Sequence, residues 1–240
     1  MEDGFLRRDS YACPFTQSLS FMKTRDAITS SVPALEVSDS VETALGLLME
    51  HHINHLPVVD EEGDLAGLLS EARLMEAEGP DAEVGGLVVG RPVSVSPDAH
   101  IFDAARAIVQ HDLSTVPVVD AEGTYYGLIQ RHDIFDKFAQ MLSTQQSGAI
   151  LALEVDPRDY ALAKLVHLIE QNDAKVLAVA SESPEQASGK IRVTLKLNVH
   201  DTSRIRHVLE HNGYHVVAYF GENDEELEEL VEEFVRYLEV

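Results

Sequence analysis

Cysteine is nearly absent from this chain: Cys13 is its only one. An internal disulfide and a cysteine-based zinc site are therefore excluded. Lysine is scarce too, restricted to Lys23, Lys137, Lys164, Lys175, Lys190 and Lys196, and arginine supplies the rest of the 18 cationic residues. Against them stand 42 Asp and Glu, for a net charge of −24 and a pI near 4.6. Such a field repels phosphate backbones and anionic membrane surfaces, which argues against nucleic-acid and membrane partners. No apolar run is long enough to span a bilayer. Arg7-Arg8 has no apolar segment behind it of the kind a secretory signal needs. These absences predict a cytoplasmic protein. Because the acidic residues are dispersed, the surface fits work in high salt, where counterions screen the self-repulsion. An ordinary acidic cytosolic protein is the alternative.

What the chain has is a duplication. Ile53-Asn54-His55-Leu56-Pro57-Val58-Val59-Asp60 is answered by Leu113-Ser114-Thr115-Val116-Pro117-Val118-Val119-Asp120, an offset of 60 residues. Each copy continues into an acidic-Gly turn, Glu62-Gly63 or Glu122-Gly123. A glycine-led apolar segment follows, Gly67-Leu68-Leu69 or Gly127-Leu128-Ile129. Repeated units of this kind stack, since neither buries its apolar face alone.

Within each copy the sequence predicts a short strand, Ala34–Val37 or Val93–Val95, and a helix over 41–51 or 101–111. Helix starts are expected at Ser38-Asp39 and Ser96-Pro97-Asp98, whose side chains accept from free first-turn amides. Val41, Ala44, Leu45 and Leu48, like Ile101, Ala104, Ala105 and Ile108, recur at the spacing of one buried helix face. Two strands follow, Leu56–Val59 with Leu65–Leu69, and Val116–Val119 with Tyr125–Ile129. A second helix begins near Glu71 or Arg131. Gly85-Gly86 with Gly90 reads as a linker between the copies.

Residues from 148 onward form a different unit. Strands are expected over 149–155, 175–180, 191–199 and 214–220, with helices over 160–170 and 203–210. Asp156-Pro157-Arg158-Asp159 supplies a turn and a cap, and Ser181–Gly189 a hairpin loop. This βαββαβ order is the split arrangement of ferredoxin-like domains. Residues 1–21 read as a flexible extension, with Met22 a possible start, and Asp224–Leu238 as an acidic amphipathic helix.

The doubled Pro-Val-Val-Asp, Gly turn and Gly-Leu-Leu-Ser or Gly-Leu-Ile-Gln resemble CBS domains, over about 22–142. The resemblance implies α/β and α+β architecture: two βαββα repeats, 22–80 and 81–142, packed as a pseudo-twofold Bateman module. Residues 148–221 resemble an ACT domain, and 222–240 would be the appended helix. The combined order is similar to acetoin-utilisation regulatory proteins. The family implies a homodimer and a non-enzymatic regulatory module. Its effector would be of adenosine type, with AMP, ATP or S-adenosylmethionine as the candidates. The protein target is left open by the sequence. A structural or oligomerisation scaffold with decayed pockets is the rival.

In that family the pattern Gly-h-h-Ser/Thr-x-x-Asp (h apolar) sets a hydroxyl against phosphate and a carboxylate against the ribose diol, a match of acceptor to donors. Here the copies divide it. The first has Ser70 but Arg73, and the second has Asp133 but Gln130. The resemblance therefore implies one altered site around Asp133 and Gln130, with Asn54, His55, Ser114 and Thr115 on the phosphate side. Among these, His55 alone adds positive charge, when protonated. Asp133 as a plain helix cap is the alternative at that position. An amino-acid-binding ACT domain would carry a glycine where Asp156-Pro157-Arg158-Asp159 stands, which favours a structural role there. His207 and His211 have the spacing of a metal pair, but solvated helix histidines explain them better, and no metal is expected. No nucleophile elbow or paired-carboxylate motif is present, so nothing argues for catalysis.

Overall fold

In the computed structural model, which describes residues 22–182 and 189–221, the duplication becomes a duplicated architecture. The chain divides into two compact units between Phe135 and Asp136. Cys13, the expected extension, the acidic C-terminal helix and most of the Ser181–Gly189 loop lie outside the described residues; Ser181 and Glu182 themselves extend a strand.

The first repeat contributes β1 (Leu35–Glu36), α1 (Val41–His51), β2 (His55–Val59), β3 (Leu65–Ser70) and a single turn, α2 (Glu71–Leu74). The second contributes α3 (Ile101–His111), β4 (Thr115–Val119), β5 (Tyr125–Gln130) and α4 (Arg131–Met141). The expected strand at Val93–Val95 is reduced to one parallel bridge, Val95 to Val118. Both long helices bury the predicted face: Val41, Ala44 and Leu48 in α1, and Ile101, Ala104 and Ile108 in α3. Both span the expected residues, but their caps fall later than expected. Ser40 Oγ accepts from Thr43 N–H at 3.1 Å, and His100 Nδ1 accepts from Phe102 N–H at 3.2 Å. Asp39 and Ser96 instead close the preceding turns, accepting from Glu36 N–H at 2.8 Å and Asp98 N–H at 3.3 Å. A side chain that already satisfies one turn is not free to cap the next.

Each hairpin is antiparallel with the same register, Pro57 opposite Leu68 and Pro117 opposite Leu128. Asp60 and Asp120 hold the two turns through backbone amides: Glu62 and Asp64 in one, Glu122, Gly123 and Thr124 in the other. The turns also bond each other reciprocally, Leu65 N–H to Gly123 O and Tyr125 N–H to Gly63 O, both at 3.1 Å. That exchange is the local signature of a pseudo-twofold axis.

The leading segments cross over. Residues 24–29, which include the 3-10 turn Thr24–Ala27, open the first repeat yet bond the second, through Thr24 N–H to Ala99 O and Thr29 N–H to Leu128 O, both 2.9 Å. The turn Val84–Leu87 opens the second repeat yet bonds the first, through Val84 N–H to Asp39 O at 2.8 Å and Gly85 N–H to Val37 O at 2.9 Å. The glycine-rich stretch expected to be a linker is thus a clamp. It packs where the repeated glycine sits: a Cβ on Gly67 would lie 2.5 Å from Val88 Cγ1, and one on Gly127 2.4 Å from Ile28 Cγ2. Each repeat keeps glycine in its last strand, where the other repeat's leading segment lies against it.

The second unit is one four-stranded antiparallel sheet in the order β7-β8-β6-β9, with β6 (Ile150–Val155), β7 (Val176–Glu182), β8 (Ile191–Leu197) and β9 (His215–Phe220). Its helices are α5 (Leu162–Glu170) and α6 (Ser203–His211). Alternate residues of the central strands, Leu151, Leu153, Val155, Val193, Leu195 and Leu197, meet Leu165, Ile169, Ile205 and Leu209 in one core. This is the expected βαββαβ order. The cap differs: α5 starts at Leu162 after Ala161 with no side-chain cap, because Asp156 spends its carboxylate on Arg158 N–H at 3.0 Å.

Candidate functional site

A cavity of about 920 Å³ opens in the first unit where the two repeats meet. The first repeat supplies the end of α1 and the entry to β2: His51, His52, Ile53, Asn54 and His55. The second supplies Asp112 and Ser114 before β4, and Gln130, Arg131, His132 and Phe135 from the end of β5 and the start of α4. Both helix C-terminal caps at the rim, His52 and Asp112, are left-handed, with φ of 53° and 48°. These turns reverse the chain within two residues and bring the loop side chains back over the sheet.

The floor is a bonded seam between the copies. Ser114 Oγ accepts from Asn54 N–H at 2.9 Å, and Thr115 Oγ1–H donates to His55 O at 2.9 Å. Ser114 N–H points at His55 Nδ1, 3.2 Å away. That contact fixes Nδ1 as the acceptor and leaves Nε2 as the ring's donor. Burial, the largest cause, lowers the His55 pKa from its ordinary value, with Arg131 adding to it and Asp112 opposing. The contact and the burial both favour the neutral ring, which donates through Nε2, and oppose the charge expected of His55 when protonated.

The structure places four of the expected site residues on the cavity wall: Asn54, His55, Ser114 and Gln130. Thr115 is fully buried beneath it. Asp133 stands behind, its Oδ2 accepting from Gln130 N–H at 2.9 Å and its Oδ1 3.4 Å from His132 Nε2. Ser70 and Arg73 do not line the cavity. Ser70 Oγ caps α2 by accepting from Arg73 N–H at 3.2 Å, and the Arg73 guanidinium is held by Leu87 O and Glu76.

These bonds give the divided pattern a local physical meaning. A hydroxyl at the N-cap and an acid three residues on form a capping box, in which each side chain takes the other's backbone N–H. The first repeat keeps the hydroxyl arm, Ser70 to Arg73 N–H, and the second keeps the carboxylate arm, Asp133 to Gln130 N–H. Each helix start retains one arm of the box.

Arg131, His132, Asp112 and Phe135 were not singled out by sequence reasoning. His51 entered only as the last residue of an expected helix. Arg131 reaches across to the α3 terminus, with Nη2 2.6 Å from Leu113 O and 3.1 Å from Asp112 Oδ1. The one available signal was the pairing of Thr115 with Gln130, which sets whatever follows Gln130 beside whatever precedes Thr115.

The CBS domain family model matches residues 25–79 and 84–140. Homoserine O-acetyltransferase from Methanococcoides burtonii is 30% identical over 117 residues, covering 48% of this chain and 24% of that protein. The chain spans about a quarter of the length of the first curated relatives it matches. Among solved structures, a CBS domain pair/ACT domain protein from Thermotoga maritima is 26% identical, with a TM-score of 0.47 over 50% of this chain and 99% of its own. CBSX2 from Arabidopsis thaliana in complex with AMP is 28% identical, with a TM-score of 0.44 over 49% of this chain and 96% of its own.

Proposed function

The two repeats are CBS domains, and from that premise we propose that the cleft between them binds an adenosine-type effector in a non-enzymatic regulatory module. The observation that carries this reading is the cavity itself, about 920 Å³ and walled by both repeats. Its size suits a nucleotide-sized ligand, and convergent polar groups are what orient one. Asn54, Ser114, Gln130 and the His55 donor would meet the polar groups of the ligand. Phe135, 71% exposed at the rim, offers a flat face for a base. Arg131 is the one permanent cation on this wall and is already shared with Asp112, which favours one phosphate, as in AMP, over the triphosphate of ATP. Ser70 and Arg73 lie off the wall, so binding is one-sided. A ligand touching both repeats prefers one packing of the pair over others, and that difference in affinity shifts the population. In this scheme residues 148–221 are an ACT-like output domain of a homodimer.

The test is thermal shift and calorimetry with AMP, ATP and S-adenosylmethionine on the full chain. Saturation at a hundredfold the dissociation constant stabilises by about 2.7 kcal/mol. Failure of all three to shift stability at physiological and high salt refutes the proposal.

A scaffold acting through protein contacts is the second reading. Exposed apolar side chains recur at the repeat offset, Met49 with Val109 and Met75 with Phe135, each more than 70% exposed. Asn54→Ala separates the two readings. The Asn54 side chain lines the cavity, while the seam bonds of this residue run through its backbone N–H and carbonyl. Ligand response falls under the first reading, and nothing but a slight change in stability occurs under the second.

A further inference from the structure

Four of the 11 histidines of this chain converge on one cleft, in a protein whose formal charge is −24. Three of them, His51 and His52 on the α1 side and His132 on the α4 side, have rings uncommitted to the bonded floor that holds His55. His132 is well exposed, with 67% of its side-chain surface open. The fixed charges facing them are few. Arg131 lies 3.1 Å from Asp112, and Asp133 lies 3.4 Å from His132 Nε2. Glu71, whose backbone N–H bonds Asn54 O at 2.9 Å, does not line the cavity. With the histidines neutral, Arg131 and Asp112 offset each other on the wall, with the Asp133 carboxylate behind it. With three histidines protonated, four cations meet those two carboxylates. The site then carries a net positive charge.

We propose that His51, His52 and His132, together with Arg131, form a phosphate subsite that becomes cationic only on protonation, so that seating the anion takes up protons. The inference rests on the cleft being an effector site, and deepens it by adding proton-linked regulation. Histidine is the side chain whose charge changes between about pH 5 and 8. The first turn of α4, 11 residues long, adds its partial positive charge at the same place. An anion arriving there stabilises the protonated rings, and linkage requires that protons in turn tighten the anion.

Linkage fixes the sign and the scale. Each proton taken up on binding raises affinity about tenfold per pH unit of acidification. The ligand's own chemistry works the other way, since a phosphate monoester gains its second charge as pH rises through about 6. A site without titrating cations would bind AMP more tightly at alkaline pH. A histidine site binds it more tightly in acid.

The experiment is calorimetry of AMP and of its phosphate methyl ester, whose charge is constant, from about pH 6 to about pH 8. Buffers of different ionisation enthalpy report proton uptake directly. The expected result for the ester is an affinity at least about tenfold higher at the acid end, with net proton uptake. The variant His51→Gln, His52→Asn, His132→Gln should flatten the ester's profile, asparagine being chosen because position 52 is left-handed. If that variant does not fold, the single surface change His132→Gln should still reduce the protons taken up. Affinity independent of pH, or a variant that keeps the full slope, overturns the inference and leaves the effector site standing. Absence of binding by either compound at every pH overturns both.

Discussion

Replacing Gly127 with alanine tests the idea that each repeat is clamped by the other's leading segment. The new Cβ would lie 2.4 Å from Ile28 Cγ2, and Gly127 has φ of +148°. Two costs therefore combine. Forcing a methyl into a packed contact costs about 1–3 kcal/mol. Holding a non-glycine residue in that backbone region costs about 1–3 kcal/mol more. Ile28 yields little, because a β-branched side chain is stiff at χ1. Gly67 is the internal control, since its Cβ would sit 2.5 Å from Val88 Cγ1 but its φ is not positive. Gly67→Ala should cost about 1–3 kcal/mol, and Gly127→Ala roughly 2–5 kcal/mol. Shrinking the partner separates the two costs: Val88→Ala should relieve most of the Gly67→Ala defect, and Ile28→Ala only part of the Gly127→Ala defect. Hydrogen exchange over 115–130 and 55–70 gives the local opening free energies without requiring both units to unfold together. Equal costs at the two glycines, or complete rescue of Gly127→Ala by Ile28→Ala, would refute the reasoning.

Two further outcomes follow from the seam. Thr115→Val keeps the shape of a fully buried side chain but removes the Oγ1–H donor to His55 O. It should cost about 1–3 kcal/mol in chemical denaturation, with the loss localised to 53–56 and 113–116 in exchange experiments. His55 has a lowered pKa in the fold, so the unfolded chain binds its proton first as the pH drops. Its stabilising contribution is complete above the ordinary histidine value of about 6.5 and is lost as the pH falls from there through the folded value. His55→Asn should flatten that acid limb of a stability-versus-pH curve. An unchanged limb would show that burial does not hold the ring neutral.

Much of this molecule was legible residue by residue. Val41, Ala44 and Leu48, with their second-copy mates, announce two helices because a period near 3.6 survives in any one-dimensional listing of side chains. The doubled Pro-Val-Val-Asp and its turn announce two hairpins for the same reason, since turn chemistry is set by neighbours in sequence. The helix ranges were read correctly but the caps were not, because Asp39 and Ser96 had a competing bond in the preceding turn, a contest visible only in coordinates. At the site, Asn54, His55, Ser114 and Gln130 were found because the duplication and the family pattern point to them. Arg131 and His132 were missed because nothing local distinguishes them from ordinary polar residues at a helix start. Their significance comes from what lies opposite, Asp112 and the α1 terminus.

By itself the sequence determined the repeat, its helices and hairpins, the βαββαβ order after it, and the fact that the two half-sites differ. All of these are carried by spacing and residue type, which act over a few neighbours. Only the tertiary structure decided that the leading segments exchange partners, that His55 is a neutral donor, and that four histidines and one arginine share a wall. Those features arise from contacts between residues far apart in the chain, such as Val84 with Asp39 and Ser114 with His55. Burial and field are properties of what surrounds a group, and the chain folds that environment from distant parts of itself.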